Sequence, residues 1–326
     1  MTQPRKLILI NHNDFYQPLR QNLEARGLES ICDQWQPDGP LLDRTLACFV
    51  WFYDCLRHPL QVWRLKQQLR RHGVPLVAWN RDAPHYLNRS AWRLDWLNRA
   101  RLLDVYATHT LIDIRTFADC VLYLPNAADV TRYNPGADPA TTLTHLRDPS
   151  GYQYDVSFFG AMDGTRHKEM RARQAFFAAL AEKLHARKIR FLFRESEGMS
   201  VAEQIALIHS SRINLNFGAS CEYGAKVASG LPERCYGIPA VGGFLLCDQR
   251  THAADDFEIG KSWAQFASLD DAVAQIDYYL AHFDQARDIA ERSHAHIMHT
   301  HTYAHRAQKL HQTLLAWHQG QRGVIK

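Results

Sequence analysis

Residues 211–248, SRINLNFGASCEYGAKVASGLPERCYGIPAVGGFLLCD, decide the fold. Residues 212–217 are rich in β-favouring side chains, and residues 244–247 are apolar enough to form a buried parallel strand. Residues 231–240 lie between them and predict a short helix, because Pro232 suits a first helical turn, where its missing N–H costs no hydrogen bond. The stretch therefore predicts a strand, a helix and a second strand, which is a repeating unit of α/β proteins.

The turns of this unit are suited to binding a diphosphate. A helix amino terminus offers unpaired N–H groups and partial positive charge, and glycines let the backbone approach an anion. Arg234, at the start of the predicted helix, can pair with a phosphate through two N–H groups, and Gly242 and Gly243 supply a flexible turn. We therefore predict a phosphate site at these three residues, with Glu233 and Phe244 beside them. The alternative is a surface arginine followed by an ordinary turn.

The rest of the chain repeats the alternation of strands and helices, which indicates parallel βαβ units. Turn-forming residues concentrate at 134–149 and predict a linker between domains. We therefore expect an α/β protein with two Rossmann-like domains, at residues 1–148 and 149–326. The predicted strands are 6–10, 46–52, 74–79, 103–108, 121–124, 154–159 and 189–193, and the predicted helices are 15–27, 59–72, 90–101, 165–187, 200–210, 270–280, 283–299 and 303–318.

The composition excludes several classes of protein. With 326 residues, of which 46% are hydrophobic and 22% charged, the chain is globular and long enough for two cores. A formal net charge of +4 does not favour a dedicated nucleic-acid binder and suits an enzyme that handles anionic substrates. Seven scattered cysteines without CxxC spacing predict free thiols in a reducing compartment.

The sequence predicts no membrane insertion. The apolar run near the first residue is too short for a signal peptide, and no stretch reaches the length of a membrane span. We expect a cytoplasmic protein, at most peripheral to a membrane. Residues 63–72 and 92–101 carry aromatic and basic side chains at helical spacing, which suits contact with an anionic membrane or a lipid-linked acceptor. The alternative is a solvated helix face with packed tryptophans.

Motifs along most of the chain resemble the CgeB-like glycosyltransferases. They include VAWNRDAPHYL at 77–87, VLYLPNAADVTRYNP at 121–135, YDVSFFGAMDGTRHKEM at 154–170 and LPERCYGIPAVGGFLLCD at 231–248. That family has group 1-type, GT-B architecture, so the resemblance implies two Rossmann-like domains whose parallel sheets face each other across a cleft. The first domain would present the acceptor and the second would bind a nucleotide-sugar donor, with the last helix crossing back to the first domain. We expect no cofactor and no metal, because cationic side chains and backbone N–H groups can meet the phosphate charge.

A glycine turn at residues 160–168 is a second candidate for donor binding. Gly160, Gly164, Arg166 and Lys168 follow a predicted strand and begin a basic helix, where N–H groups and positive charge can meet the donor phosphates. The alternative is an ordinary βα turn before a solvated helix. The predicted donor site also includes Arg194 and Asn216.

The chain departs from the resembled family at two acidic positions. The family often carries Arg-x-Phe-Glu before the Gly-Gly turn, and that Glu commonly binds ribose or sugar hydroxyls. Here the position is Gly237. The later motif Phe-Glu-x-Gly-Lys-Glu ends in Ser262. Three explanations stay open: Glu233 substitutes from a nearby turn, the donor is unusual, or activity is lost.

Candidates for the acceptor side are polar residues that follow two N-terminal strands. Inverting transfer needs a base with a pKa near neutrality, which a histidine or a tuned carboxylate can provide. His12 and Asp14 follow the first strand, and Asp82 and His85 lie in the loop WNRDAPHY. The alternatives are a helix cap for Asp14 and a turn former for Asp82.

A histidine cluster near the end of the chain suits metal binding by its spacing, since His301 and His305 lie one helical turn apart. No acidic or cysteine partner accompanies the cluster at metal spacing, so we interpret it as a helix junction. Its members are His294, His296, His299, His301 and His305.

Three functions are compatible with these patterns. The first is a metal-independent glycosyltransferase that moves a sugar from a nucleotide-sugar to an unidentified acceptor. The second is a degenerate GT-B protein that binds nucleotide or glycan without turnover, which Gly237 and Ser262 would explain. The third is a transferase acting on a modified nucleic-acid base, which the modest net charge hardly supports. Neither the acceptor nor the oligomeric state follows from the residues.

Overall fold

A computed structural model describes residues 5–10, 17–82, 91–112, 117–165, 170–218 and 227–325. The chain forms two compact units, Met1–Asn126 with Tyr303–Lys326, and Ala127–Thr302. The predicted linker at 134–149 lies inside the second unit, and the helix that follows Thr302 is grouped with the first. The second unit begins and ends at neighbouring positions, because the Ala128 N–H donates to the His301 carbonyl oxygen at 2.8 Å.

The elements follow the predicted alternation of strands and helices. The strands are β1 Arg5–Ile10, β2 Leu28–Cys32, β3 Thr45–Val50, β4 Leu76–Asn80, β5 Val105–Thr108, β6 Cys120–Tyr123, β7 Tyr154–Phe159, β8 Phe191–Arg194, β9 Ser211–Asn216, β10 Leu245–Asp248, β11 Ala264–Phe266 and β12 Gly323–Ile325. The helices are α1 Gln17–Glu24, α2 Gly39–Leu42, α3 Asp54–Arg57, α4 Pro59–Arg71, α5 Ala91–Ala100, α6 Pro139–His145, α7 Arg171–Ala186, α8 Val201–His209, α9 Arg234–Ala240, α10 Ala253–Asp256, α11 Leu269–Ala281, α12 Phe283–Thr300 and α13 Tyr303–His318.

The first unit is built on a parallel sheet with the strand order β2-β1-β3-β4-β5-β6-β12. β3, β4 and β5 are buried along their whole length, as the apolar runs in their sequences predict. α4 and α5 pack on one face of this sheet, where Leu65 and Leu94 join Ile8 and Cys48 in one core cluster.

The helix α13 completes the first unit. It packs against α1, and its buried Arg306 donates from Nη2 to the Asn126 carbonyl oxygen at 3.0 Å. His318 at its end lies 2.9 Å from the Leu46 carbonyl oxygen, measured from Nε2. These contacts hold the last helix on the sheet that the start of the chain forms.

The second unit is built on a parallel sheet with the strand order β8-β7-β9-β10-β11. One face carries an aromatic core shared with α7 and α11, and the other packs against α8 and α9. α8 begins with the predicted capping box: the Ser200 N–H donates to the Glu203 carboxylate at 2.7 Å, and the Glu203 N–H donates to Ser200 Oγ at 3.2 Å. Over the described ranges, no helix combines the length and apolarity needed to cross a bilayer.

Candidate functional site

The strand order of the second sheet reverses between β7 and β9, because β7 connects to β8 on one side and the chain then returns to the other side. In open parallel sheets, ligands bind outside the carboxyl ends of the strands at such a reversal. β7 ends at Phe159 and is followed by Gly160, and β9 ends at Asn216 and is followed by a turn at Gly218. This edge of the second sheet is therefore the expected location of a ligand site.

Arg234, the first residue of α9, lies at this edge. Its Cζ atom is 4.7 Å from the ring centroid of Phe158 and 5.4 Å from that of Phe159, and its Nη1 donates to Asn216 Oδ1 at 2.9 Å. Its Nε is buried and finds no hydrogen-bond partner among the described residues. Burial lowers the pKa of the guanidinium, because desolvation disfavours its charged form. An anion at this place would compensate that lost solvation.

Asn216 and Asp248 hold Arg234 in position. The Asn216 amide accepts from Arg234 and donates from Nδ2 to Asp248 Oδ1 at 2.8 Å. Asp248 in turn accepts from the Gly218 N–H at 3.0 Å and from Arg250 Nη2 at 2.9 Å. Asn216, Asp248 and Arg250 are all buried. Their hydrogen bonds fix the Asn216 amide, and this amide in turn fixes the Arg234 guanidinium.

Arg173 on α7 joins the two loops that flank the reversal. Its guanidinium donates to the carbonyl oxygens of Ala161, Phe217 and Gly218 at 2.9, 2.8 and 2.7 Å. The first carbonyl follows β7, and the other two follow β9. Arg173 is therefore a positioning residue that sets the width of the site, and its donors are occupied by the backbone.

Gly160 is needed for the close approach of Arg234. A Cβ atom at this position would lie 2.4 Å from Nη2 of Arg234 and 2.8 Å from Cζ of Phe158. Contacts this short do not occur for real Cβ atoms, so a side chain here must displace the guanidinium. The predicted role of Gly160 as a donor-site residue stays a prediction, and these contacts support it.

A pocket of about 210 Å³ opens beside Arg234, between the first turns of α8 and α9. The Tyr133 hydroxyl donates to Gln204 Oε1 within it, and burial raises the pKa of Tyr133. The ring of Tyr133 also covers Gly237, where a Cβ atom would be 3.7 Å from Cδ1. A carboxylate, an amide and two hydroxyls thus surround one cation, which suits a ligand that carries both hydroxyl groups and negative charge. The lining residues are Tyr133, Phe159, Ser196, Gln204, Glu233, Arg234, Gly237 and Ile238.

The Gly-Gly turn plays a different role from the one predicted. The N–H groups of Gly242 and Gly243 donate to the carbonyl oxygens of Pro239 and Ile238 at 2.9 and 3.0 Å, so they end α9 and do not point at a ligand. α9 runs antiparallel to the strands. Its last turn therefore lies at the edge of the sheet where β10 begins, which is the opposite edge from Arg234. The donor-binding role predicted for Gly242 and Gly243 is corrected on this ground.

Phe244 requires the same correction. Its side chain is buried in the aromatic core, with its ring centroid 4.8 Å from that of Tyr279. Its carbonyl oxygen accepts from the Asn214 N–H at 2.9 Å. Phe244 therefore supports β10 from within the core, and it does not line the pocket at the carboxyl edge.

The other predicted donor residues have mixed outcomes. Gly164 packs tightly against α7, since a Cβ atom there would lie 3.0 Å from Cα of Arg171. Arg194 is half-exposed, and its Nη2 lies 3.7 Å from a carboxylate oxygen of Glu203, which is part of the capping box of α8. Arg166 and Lys168 lie outside the described residues.

One of the four acceptor-side candidates can be placed. Asp82 follows β4 in the first unit, and its N–H donates to Asn80 Oδ1 at 3.2 Å. Burial raises the pKa of Asp82 to about 6, against a smaller opposing effect of Arg81. A carboxyl with this pKa can take up a proton near neutrality. His12, Asp14 and His85 lie outside the described residues.

The histidine cluster forms a helix junction, as predicted. α12 ends at Thr300 and α13 begins at Tyr303, with His301 between them. His296 and His301 place their Nε2 atoms 3.1 Å apart, and both face the Asp256 carbonyl oxygen at 2.7 and 2.9 Å. The described ranges contain no group of three histidine, cysteine or acidic residues arranged for a metal ion.

The sequence predicted Asn216, which holds Arg234 directly, but not the other residues that shape the site. Arg173 lies in a basic helix and looked like part of a solvated face. Asp248 ends an apolar strand and Arg250 follows it, and neither was chosen as a candidate. Tyr133 and Gln204 come from segments far apart in the chain. A signal was present for Asp248 alone, because a polar residue at the carboxyl end of a buried parallel strand commonly faces a ligand site.

Comparison with known proteins supports the fold. Residues 168–312 match the model of the family described as Glycosyl transferase-like. No curated protein matches the chain in sequence. The matched region includes Arg173, Asn216, Arg234 and Asp248.

Solved structures resemble nearly the whole chain. Sucrose-phosphate synthase from Thermosynechococcus elongatus has a TM-score of 0.63 at 11% identity, over 97% of this chain and 100% of that one. Anabaena HepE in complex with UDP and glucose has a TM-score of 0.60 at 12% identity, over 96% and 100%. A glycosyltransferase from Rickettsia africae has a TM-score of 0.56 at 10% identity, over 96% and 99%. These similarities confirm the predicted α/β fold of the GT-B class with two parallel sheets.

Proposed function

We propose that this protein is a glycosyltransferase that takes a hexose or related sugar from a nucleoside diphosphate donor and transfers it to an acceptor without a metal ion. The observation that carries the proposal is the Arg234 guanidinium. It is desolvated, it is fixed by Asn216 at 2.9 Å, and it faces a pocket that also offers carboxylate, amide and hydroxyl groups. A diphosphate bearing a sugar matches this combination of charges.

Arg234 would act on the leaving group. When the bond between the anomeric carbon and the diphosphate breaks, negative charge grows on the phosphate oxygens. A guanidinium already held in place stabilises that charge without further reorganisation. The chain Arg250–Asp248–Asn216 would supply this preorganisation, because each member is buried and hydrogen-bonded.

Glu233 would replace the acidic residue that the resembled family carries at position 237. Glu233 lies one helical turn before Gly237, and both line the pocket. A carboxylate there can accept hydrogen bonds from ribose or sugar hydroxyls. The second departure is structural, since the Ser262 Oγ accepts from the Glu258 N–H at 3.0 Å. These contacts favour an active enzyme over a degenerate one, and the motifs quoted above favour a CgeB-like member of the GT-B class.

Asp82 would serve as the base that removes a proton from the acceptor. Its raised pKa of about 6 suits that role near neutral pH. The donor would be a uridine nucleotide, because HepE, which shares the fold, was solved with UDP and with UDP-glucose. The acceptor is left open.

Titration calorimetry with UDP and UDP-sugars, in buffer containing a chelator, tests the proposal. We expect saturable binding that Arg234→Ala weakens by roughly ten- to a hundredfold, because a charged hydrogen bond to phosphate is worth about 1.5–3 kcal/mol. Arg187→Ala, at an exposed position directly after α7, is the matched control and should bind like the parent. Failure of every nucleoside diphosphate and its sugars to bind would refute the proposal. Binding without sugar release or transfer would instead identify the degenerate alternative.

A further inference from the structure

The outward sides of α4 and α5 expose large apolar residues. Leu60 is 72% exposed, Trp63 50%, Trp92 66% and Trp96 43%. Tryptophan is usually well buried, and several exposed apolar residues on neighbouring helices mark an interaction surface. None of these residues belongs to the donor site, which lies in the other unit.

Arginines surround these apolar residues. Arg64, Arg70 and Arg71 are exposed on α4, and Arg93 and Arg99 are exposed on α5. α4 contains no aspartate or glutamate, and α5 contains a single aspartate. The charge of this face is therefore strongly positive, and its natural partner is anionic.

The two helices pack on the same face of the sheet and run in the same direction. Each connects neighbouring parallel strands, β3 to β4 and β4 to β5, so both run from the carboxyl edge of the sheet to its amino edge. Lys66 joins them: its Nζ donates to the Arg101 carbonyl oxygen at 2.7 Å, just after α5 ends. Trp63 and Trp92 lie near the starts of α4 and α5, and the last turns carry Arg70 and Arg71 on α4 and Arg99 on α5.

A groove of about 660 Å³ adjoins the start of α4. Arg57, His58 and Arg64 supply basic groups to it, and Trp35 and Leu60 supply apolar surface. None of its described lining residues is acidic. The groove can therefore hold a phosphate-bearing headgroup next to the exposed tryptophans.

We propose that this face, made of Leu60, Trp63, Arg64, Arg70, Arg71, Trp92, Arg93, Trp96 and Arg99, binds the surface of an anionic lipid bilayer. Tryptophan side chains prefer the boundary between headgroups and acyl chains. Each arginine near an anionic membrane adds attraction, and stable peripheral binding needs apolar insertion and charge together. The α4–α5 face supplies both.

Cosedimentation with vesicles tests the proposal with the full chain. We expect binding to vesicles made of equal parts of phosphatidylcholine and phosphatidylglycerol, little binding to pure phosphatidylcholine, and a decline in binding as salt is raised. Brominated acyl chains should quench tryptophan emission from the bound protein, because the exposed indoles would lie at the acyl boundary.

Two variants separate the apolar and the charged contributions. The triple variant W63S/W92S/W96S should lose most of its vesicle binding and its quenching. The double variant R64Q/R71Q should bind about fivefold more weakly for each arginine removed. All five positions are on the surface, so folding is expected to survive. The matched controls are Met298→Ser with Leu315→Ser for exposed apolar residues, and Arg187→Gln with Arg292→Gln for exposed arginines, and both should bind like the parent.

Three results would overturn the proposal. The first is no binding to anionic vesicles, and the second is an equal loss of binding in the control variants. The third is a dimer in sedimentation equilibrium that W63S/W92S/W96S dissociates while vesicles fail to bind, which would make a second copy of the chain the occupant of this face. Nucleotide binding is measured separately, so failure here leaves the proposed transferase activity intact.

Discussion

At the scale of single residues, the proposed donor site depends on a glycine as much as on an arginine. Gly160 leaves room for the Arg234 guanidinium, whose Nη2 would be 2.4 Å from any Cβ atom there. The arginine is in turn held by one amide oxygen, that of Asn216. Substitutions at Gly160 or Asn216 should therefore change ligand affinity more than they change the free energy of unfolding.

Gly160→Ala should weaken nucleotide binding by about tenfold or more, because the displaced guanidinium loses part of a charged hydrogen bond worth roughly 1.5–3 kcal/mol. Gly151→Ala is the matched control, since a Cβ atom at Gly151 meets nothing within 4 Å. Calorimetric titration of both variants with UDP measures the effect. Equal affinities for the two variants would show that Arg234 does not contact the nucleotide.

Asp82 should make the protein less stable as pH rises from about 4 to about 6. Its pKa in the fold is raised to about 6 by burial, whereas an unfolded aspartate titrates near 3.9. Between these values the folded state binds more protons than the unfolded state, so the free energy of unfolding falls as pH increases. The loss should be of the order of 2 kcal/mol.

Asp82→Asn should remove that dependence. Urea unfolding of the parent and of Asp82→Asn, at about pH 4 and at about pH 7, measures it. The variant should gain stability relative to the parent at the higher pH, since the parent alone must then keep a partly buried carboxylate charged. If the two proteins change in parallel between these pH values, the pKa of Asp82 is not raised.

At the scale of elements, the Gly-Gly turn ends a helix. Gly242 has a φ of 82°, a left-handed conformation, and a Cβ atom there would lie 2.5 Å from Cδ2 of Leu143. The turn is also braced by Arg287, whose Nη2 donates to the Gly242 carbonyl oxygen at 2.9 Å. The carboxyl end of α9, which carries partial negative charge, thus contacts the buried guanidinium of Arg287.

Gly242→Ala should destabilise the second unit by about 1 kcal/mol or more without changing the nucleotide affinity of the folded protein. Gly151→Ala is the matched control, because Gly151 lies outside the pocket, its φ is not left-handed and a Cβ atom there meets nothing within 4 Å. Thermal unfolding and UDP titration together measure the two effects. Weakened nucleotide binding in Gly242→Ala at full stability would restore the role that the sequence predicted for this turn.

The elements were largely predictable from their patterns. Apolar runs and helical spacing identified β1, β3, β9 and the whole of α13, because each buries a continuous face. β2 was missed, since its sequence LESIC alternates and it is only partly buried at the edge of its sheet. β11 and β12 were missed because three residues are too few to show a period.

The site was predictable only in part. Arg234 and Asn216 could be identified because each lies at the end of an element in an α/β unit. Arg173 could not, since its partners are backbone carbonyls of loops that only the folded chain brings together. The Gly-Gly turn was wrongly predicted to bind a ligand, because a glycine pair has the same sequence signal at either edge of a sheet. Only the direction of α9 in the fold shows at which edge this pair lies.

At the scale of the whole molecule, one helix completes the first unit from the far end of the sequence. Leu310 of α13 is fully buried, and α13 packs against α1. Seven of the eight tryptophans lie in the first unit, and the remaining one is Trp263. A protein with Trp263→Phe therefore reports unfolding of the first unit alone by its fluorescence.

In that background, Leu310→Ala should destabilise the first unit by about 2–5 kcal/mol, the usual cost of truncating a buried leucine. Urea titration followed by tryptophan fluorescence measures the loss. UDP titration of the same variant should show an affinity close to that of the parent, because Arg234 and its supporting residues belong to the other unit. An unchanged fluorescence transition would mean that α13 contributes nothing to the first unit.

The neighbouring positions of Ala128 and Thr302 have a consequence for biosynthesis. The second unit is one uninterrupted stretch, whereas the first needs residues that the ribosome adds only after Thr302. During translation, the stretch encoded in the middle can reach its native form before the stretch that emerged first. Residues 1–126 cannot complete their fold until α13 has been synthesised, so the apolar surface that α13 covers stays exposed until then. We therefore expect nascent chains of this protein to bind ribosome-associated chaperones until α13 has been translated.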